Sequence, residues 1–182
     1  MIILEDTRNQ PGKHDKKNQY FSEHGIEVRR TKLYVGDYTL PTYQSVCVDT
    51  KKDIQELIGD ICGKSHVRFR EECIRAQESK IKLIILVENT DGVKETRDLF
   101  RWVNPRSRIY INSDEVIGYW KNGNPRYKRV QKYPSATKGE SLAKACLTMN
   151  LKYGVEFLFC RPEESGKRVL ELLGVDVDGT LI

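Results

Sequence analysis

Lys82-Leu83-Ile84-Ile85-Leu86-Val87-Glu88 is an apolar run entered by a lysine and closed by an acid. A run with no alternation leaves neither side for water, so it predicts a strand buried on both faces, as parallel strands between helices are. It falls far short of the roughly 20 apolar residues that span a bilayer. Upstream, His66–Ser79 predicts a helix. Asp53 caps another, with Glu56 three residues on as its capping-box partner and Gly63 at its end. Before these, Gly36–Leu40 and Ser45–Lys51 are extended runs joined by Pro41-Thr42-Tyr43-Gln44, a β-hairpin. Met1–Asp6 and Ile26–Leu33 predict strands around a Lys16–His24 helix that Gly25 stops. Downstream come a Ser141–Lys152 helix, a Val155–Cys160 strand and a Glu163–Leu173 helix. Strands alternating with helices predict a three-layer α/β fold, a mixed central sheet flanked by helices.

The chain has 182 residues, the size of one domain at roughly 100–200 residues each, so residues 1–182 are read as a single unit. Hydrophobic content of 38% with 31% charge excludes a largely disordered chain. Met1-Ile2-Ile3-Leu4 is followed by Glu5-Asp6 without a basic segment, so neither a secretory signal nor a membrane location is expected. Cys47, Cys62, Cys73, Cys146 and Cys160 form no C-x-x-C pair, and His14, His24 and His66 stand at no zinc spacing from them. The cysteines are expected as small core hydrophobes of a cytoplasmic protein.

Charge is uneven. Residues 97–133 hold nine of the 31 basic side chains and three of the 26 acids. The same segment carries Phe100, Trp102, Tyr110, Tyr119, Trp120, Tyr127 and Tyr133, and Asn122-Gly123 supplies a hairpin turn. It is expected as a basic-aromatic hairpin insertion on the α/β core. Basic side chains neutralise phosphates and aromatic faces stack on bases. Arg106, Arg108, Lys121, Arg126, Lys128 and Arg129 are therefore candidates to grip the phosphates of a nucleic acid, and Trp120 or Tyr127 to stack on an unpaired base. A solvated hairpin with Trp120 packed beneath it has the same composition.

The chemistry reads from Gly36-Asp37-Tyr38 and Val48-Asp49-Thr50-Lys51. Residues two apart on a strand share a face, so Asp49 and Lys51 project together while Val46 and Val48 turn to the core. A hairpin that sets Asp37 beside Asp49 brings two carboxylates and one ammonium together. Hard oxygen ligands of this kind hold Mg²⁺ or Mn²⁺, and the lysine can stabilise developing charge. The acid-x-lysine spacing also occurs at Asp15–Lys17 and Glu78–Lys80, so the tripeptide by itself fits a surface ion pair equally well.

The wider set resembles the nuclease domain of the XPF family of structure-specific endonucleases, within the PD-(D/E)xK superfamily. That family reads roughly V-D-x-R-E, G-D-Y, V-E-R-K-x-x-x-D, a G-R-x-x-x-Q helix and a strand ending L-V-E. The counterparts here, in order, are Leu4-Glu5-Asp6-Thr7-Arg8-Asn9, Gly36-Asp37-Tyr38, Val48-Asp49-Thr50-Lys51, Arg68 and Ile85-Leu86-Val87-Glu88. The chain departs by Asp49-Thr50 in place of Glu-Arg, by Asn9, and by Glu72 where the helix glutamine stands. Its downstream acid aligns at Glu56 only with an insertion. The resemblance implies a restriction-endonuclease-like core and a Mg²⁺- or Mn²⁺-dependent endonuclease acting on branched, flapped or single-stranded DNA. Asp37 and Asp49 would ligate the metal with help from the Thr50 carbonyl, Lys51 would be the catalytic lysine and Asp6 a supporting acid. Arg8 and Arg68 would hold phosphates, although Arg68 also reads as a solvated helix arginine. Homodimer pairing is implied as well. Without a helix-hairpin-helix domain the chain looks like a compact phage or prophage nuclease. The alternative is a non-catalytic DNA-binding or scaffolding protein on a decayed nuclease core; a resolvase or exonuclease would share the chemistry.

Overall fold

The computed structural model describes residues 1–9 and 12–175. Strands β1 (Ile2–Asp6), β2 (Glu27–Thr31), β3 (Tyr38–Thr39), β4 (Val46–Lys51), β5 (Lys82–Glu88) and β8 (Glu156–Cys160) form one sheet in the order β2-β1-β3-β4-β5-β8. β1 runs parallel to β2, β4 to β5 and β5 to β8, while β3 is antiparallel to both its neighbours. The sheet is therefore mixed, and the antiparallel β3–β4 pair is the expected hairpin.

Helix α1 (Asp15–Glu23) and helix α5 (Ser165–Leu172) cover one face, where Phe21, Val169 and Leu170 pack on Ile3, Val48 and Leu86. Helices α2 (Ile54–Ile61), α3 (His66–Glu78) and α4 (Gly139–Tyr153) cover the other, where Leu57, Phe69 and Leu142 meet Ile85 and Val87. Burying a side chain of this size stabilises by about 1.5–3 kcal/mol. The apolar run of β5 is enclosed from both sides, which is why it carries no alternation. Among the described residues no helix is long and apolar enough to cross a membrane.

Several local features differ from expectation. Asp53 caps α2 by accepting from the Glu56 backbone N–H at 2.7 Å, but the Glu56 carboxylate accepts from Lys52 N, so the capping box is not closed. Cys47, Cys73, Cys146 and Cys160 are buried as expected, whereas Cys62 is exposed because it ends α2. The start of the basic-aromatic segment also belongs to the core. Residues 96–100 form a 3-10 helix against α4; Leu99 and Trp102 are buried, and the Trp102 indole N–H donates to Asp91.

Only after Asn104 does the chain leave the core, as a hairpin of β6 (Tyr110–Tyr119) and β7 (Pro125–Gln131) forming a separate two-stranded sheet. Asn104 is buried at its base, accepting from the Gln55 amide of α2 at 2.9 Å and donating to Thr137 O at 3.0 Å.

Candidate active site

Gly36 opens the site. Its φ of +71° lies in the left-handed region that favours glycine, and its N–H donates to the Glu72 carboxylate of α3 at 2.9 Å. This turn delivers Asp37 to the end of β3, where its N–H donates to Val48 O at 2.9 Å. Tyr38 pairs with Val48, so Asp37 falls beside Asp49 and Thr50 of β4. Thr50 donates to Asp37 Oδ2 twice, from its N at 2.8 Å and from its Oγ1 at 2.7 Å.

Asp49 and Lys51 share the face of β4 turned towards α2 and α3, both buried. Lys51 Nζ lies 2.7 Å from Asp49 Oδ2 and 2.8 Å from Asp60 Oδ2 of α2. The pair is thus an interior one, not a surface ion pair. A cleft of about 450 Å³ opens above these groups, lined by Asp6, Arg8, Asp37, Asp49, Lys51, Asp60 and Glu72 with Lys13, Arg68 and Arg75 also along it.

Electrostatics separate the two carboxylates. Burial pushes the Asp49 carboxyl up to about 8, Asp37 and Glu72 add to this, and Lys51 opposes it. Burial also works against ionised Asp37, but His14 and the two Thr50 hydrogen bonds overcome it and hold its pKa below the ordinary value. Lys51 resists burial because Asp49 and Asp60 both favour its charged form, and its pKa lies above the ordinary lysine value. His14 is buried behind Asp37. Its Nδ1 shares a hydrogen with the Tyr38 hydroxyl at 2.6 Å, and its Nε2 lies 3.8 Å from Asp37 Oδ2 without a hydrogen-bond partner. Burial lowers its pKa to about 4.

The other expected residues divide. Asp6 reaches the cleft, but its carboxylate is taken up by Arg8, which bonds it through Nε at 2.7 Å and also through its terminal nitrogen and backbone N–H. Arg8 donates further to Leu33 O at 2.9 Å while half of its side chain stays open to solvent. Arg68 is 80% exposed and 3.9 Å from Asp60. Glu56 lies at the cleft edge, 3.3 Å from Lys13. Glu88 points to the opposite face of the sheet and pairs with buried Lys17 at 2.5 Å.

Asp60, Glu72 and His14 are cleft or supporting residues that the sequence reading did not single out for a role. Glu72 was visible only as a departure from a glutamine, and either side chain can accept from Gly36 N.

In the hairpin, Trp120 is exposed in the Trp120–Asn124 connection with the Arg126 guanidinium 5.4 Å from its ring centre. It does not pack beneath the strands. Arg126 and Lys128 alternate away from Arg129 along β7, so these three cations do not share one face. Arg106 stands at the base, 5.6 Å from the Tyr133 ring. Arg108 and Lys121 are exposed, at the base and in the turn.

Among the described residues no three His, Cys, Asp or Glu side chains converge as a metal-holding cluster. The donor set that fits a hard cation is the Asp37–Asp49 pair. Asp49 Oδ2 faces Lys51 Nζ at 2.7 Å and the bonds from Thr50 to Asp37 all fall on Oδ2, so the oxygen each carboxylate has to offer a cation is its Oδ1. Two carboxylates facing one cleft leave further coordination positions to water and substrate oxygens.

Comparison with known proteins bears on the same fold. No curated protein sequence matches the chain significantly. Similar solved structures include XPF from Aeropyrum pernix, with a TM-score of 0.57, 18% identity and 95% of this chain covered. XPF from Aeropyrum pernix in complex with DNA gives a TM-score of 0.58 at 17% identity over 94% of the chain. The chain spans 63% and 62% of the length of those two proteins. The ERCC4 domain model matches residues 6–173, nearly the whole of the sheet and both helical layers, and the chain belongs to the ERCC4 domain family, with a fold like that of XPF from Aeropyrum pernix.

Proposed function

We propose that the chain is a metal-dependent DNA endonuclease acting on branched or flapped DNA. The observation that carries this reading is the Asp37–Asp49 pair at the cleft floor with Lys51 2.7 Å from Asp49. Asp37 and Asp49 would hold Mg²⁺ or Mn²⁺; such an ion lowers the pKa of bound water and polarises a phosphate oxygen. Thr50 fixes the rotamer of Asp37, and Asp60 holds Lys51 so that its ammonium faces the cleft rather than folding wholly onto Asp49. Lys51 then offers a positive charge where negative charge develops during hydrolysis. Arg8, oriented by Asp6 and Leu33 O, presents its guanidinium to a phosphate, and exposed Arg68 adds a looser contact.

Support for a DNA substrate comes from the charge of the hairpin, where Arg106, Arg108, Lys121, Arg126 and Arg129 are exposed to phosphates and Lys128 is paired with Glu115. The solved relative in complex with DNA agrees with it. All three catalytic side chains are present and brought together, which disfavours a decayed, non-catalytic core.

The test is a panel of labelled flap, fork, junction, duplex and single-stranded DNAs with Mg²⁺ or Mn²⁺. Cleavage of the branched forms is expected with either ion and none in excess EDTA. Asp49→Asn and Lys51→Ala should each slow cleavage at least about a hundredfold, the scale of losing one preorganised electrostatic group. Undiminished activity in EDTA, or normal activity in both variants, would refute the assignment.

A further inference from the structure

The β6–β7 hairpin has two unlike faces. Its register sets Tyr110 against Gln131, Asn112 against Arg129, Val116 against Tyr127 and Tyr119 against Pro125, with bulges between Asn112 and Gly118. Residues opposite one another share a face, and so do alternate residues along β7. Tyr119, Tyr127, Arg129 and Tyr110 therefore form one row. The three tyrosines are 73%, 39% and 52% exposed in that order, and the Arg129 guanidinium lies 5.8 Å from the centre of the Tyr110 ring. The opposite face carries Arg126 and Lys128, with Lys128 paired to Glu115 at 2.8 Å.

An exposed row of flat rings leaves apolar surface in water, which is unfavourable unless something covers it. The charge of the ribbon says what. Residues 105–133 hold seven basic side chains and two acids, so a polyanion is favoured over a polypeptide. Among polyanions, an unpaired strand offers base faces to the rings and phosphates to the arginines, irrespective of sequence. A duplex keeps its base faces inside its own stack and gains only the charge. The ribbon is also tied to the cleft: Gln55 of α2 bonds Asn104 at its base, and Asp60 of the same helix holds Lys51.

We infer that the Tyr119–Tyr127–Arg129–Tyr110 face is a stacking platform for single-stranded DNA, the unpaired arm of a branched substrate. The platform deepens the nuclease reading and rests on it for the word substrate, but it is measured without cleavage. Anisotropy of a labelled oligothymidine and of a blunt duplex of equal length, both in EDTA, gives the comparison.

The unsubstituted protein should prefer the oligothymidine. Tyr110→Ala/Tyr127→Ala should weaken it about 10- to 100-fold, the scale of losing one or two base–ring stacks. Duplex affinity should change less than about threefold, since phosphate contacts carry it. Arg129→Gln should instead flatten the salt dependence on the single strand by about 0.7. Tyr110→Leu/Tyr127→Leu keeps apolar area on the ribbon without a ring and should show the same loss of single-strand binding, which separates stacking from unfolding.

Equal loss on both DNAs, or no loss on either, overturns the platform. So does a dimer that the tyrosine variants dissolve while DNA binding stays constant, since the face would then hold a second copy of the chain. Metal-independent cleavage would refute the nuclease reading and leave the platform standing, whereas a failed platform leaves metal-dependent cleavage intact.

Discussion

Asp37 and Asp49 stand side by side on one hairpin yet differ in their neighbours. Asp37 is fixed by Thr50 and backed by His14, while Asp49 faces Lys51. His14 has a measurable consequence. Burial lowers its pKa from 6.5 to about 4, so in the window between those values the unfolded chain binds a proton that the folded chain refuses. The His14 contribution to stability is then complete above about pH 6.5 and is lost as pH falls towards 4, while Asp49, raised to about 8 in the fold, works in the opposite direction over the same window. Urea unfolding at about pH 7 and about pH 5 should therefore show a larger loss in acid for the unsubstituted protein than for His14→Gln, which keeps Asp49 and cannot titrate at position 14. An equal loss in both proteins would mean that Asp37 keeps His14 charged inside the fold. The residues of this site were unequally legible. Asp37, Asp49 and Lys51 were readable because two-residue strand alternation and a short hairpin fix their mutual placement. His14, Asp60 and Glu72 enter from three different helical segments, and no local spacing encodes how those segments pack over the sheet.

Element boundaries followed the same logic. β5 and the ends of α1 were readable from an apolar run and from Gly25, whereas α4 begins at Gly139, ahead of the expected Ser141. The reason is tertiary. A Cβ at Gly139 would come within 2.2 Å of both Leu99 O and Trp102 O, so glycine there lets α4 close on the 3-10 helix of residues 96–100. These obstacles are backbone carbonyls and have no rotamer with which to yield. Gly139→Ala should therefore destabilise the protein by about 3 kcal/mol or more, the upper end for overpacking, although alanine is the better helix former. Thermal unfolding reads this directly, and an unchanged midpoint would show that the segment around Leu99 and Trp102 moves freely. The same contact explains why the segment read as an insertion from residue 97 is core up to Trp102. Charge and aromatic content, which marked it, do not distinguish a buried Trp102 from an exposed Trp120.

Across the whole molecule the cleft sets six acids against six basic side chains, and the positive excess lies on the hairpin. A cleft without net positive charge attracts DNA phosphates only through local contacts such as Arg8 and Arg68, so most of the electrostatic grip falls to the hairpin. Each phosphate neutralised on duplex DNA adds about 0.9 to the slope of log affinity against log salt. The three cations of β7 are not equivalent in this respect. Arg126 and Arg129 lie over the Trp120 and Tyr110 rings at 5.4 and 5.8 Å, while Lys128 already faces Glu115 at 2.8 Å. Replacing Arg126, Lys128 and Arg129 together with glutamine should flatten the slope by about 2, not by the full value for three contacts. Glu115→Gln frees Lys128 and should steepen it by up to about 1 in otherwise unchanged protein. Both are read from duplex affinity titrated over salt in EDTA. Because the two substitutions push the slope in opposite directions, general loss of folding cannot imitate the pair, and a slope insensitive to both would place the phosphate contacts away from the hairpin.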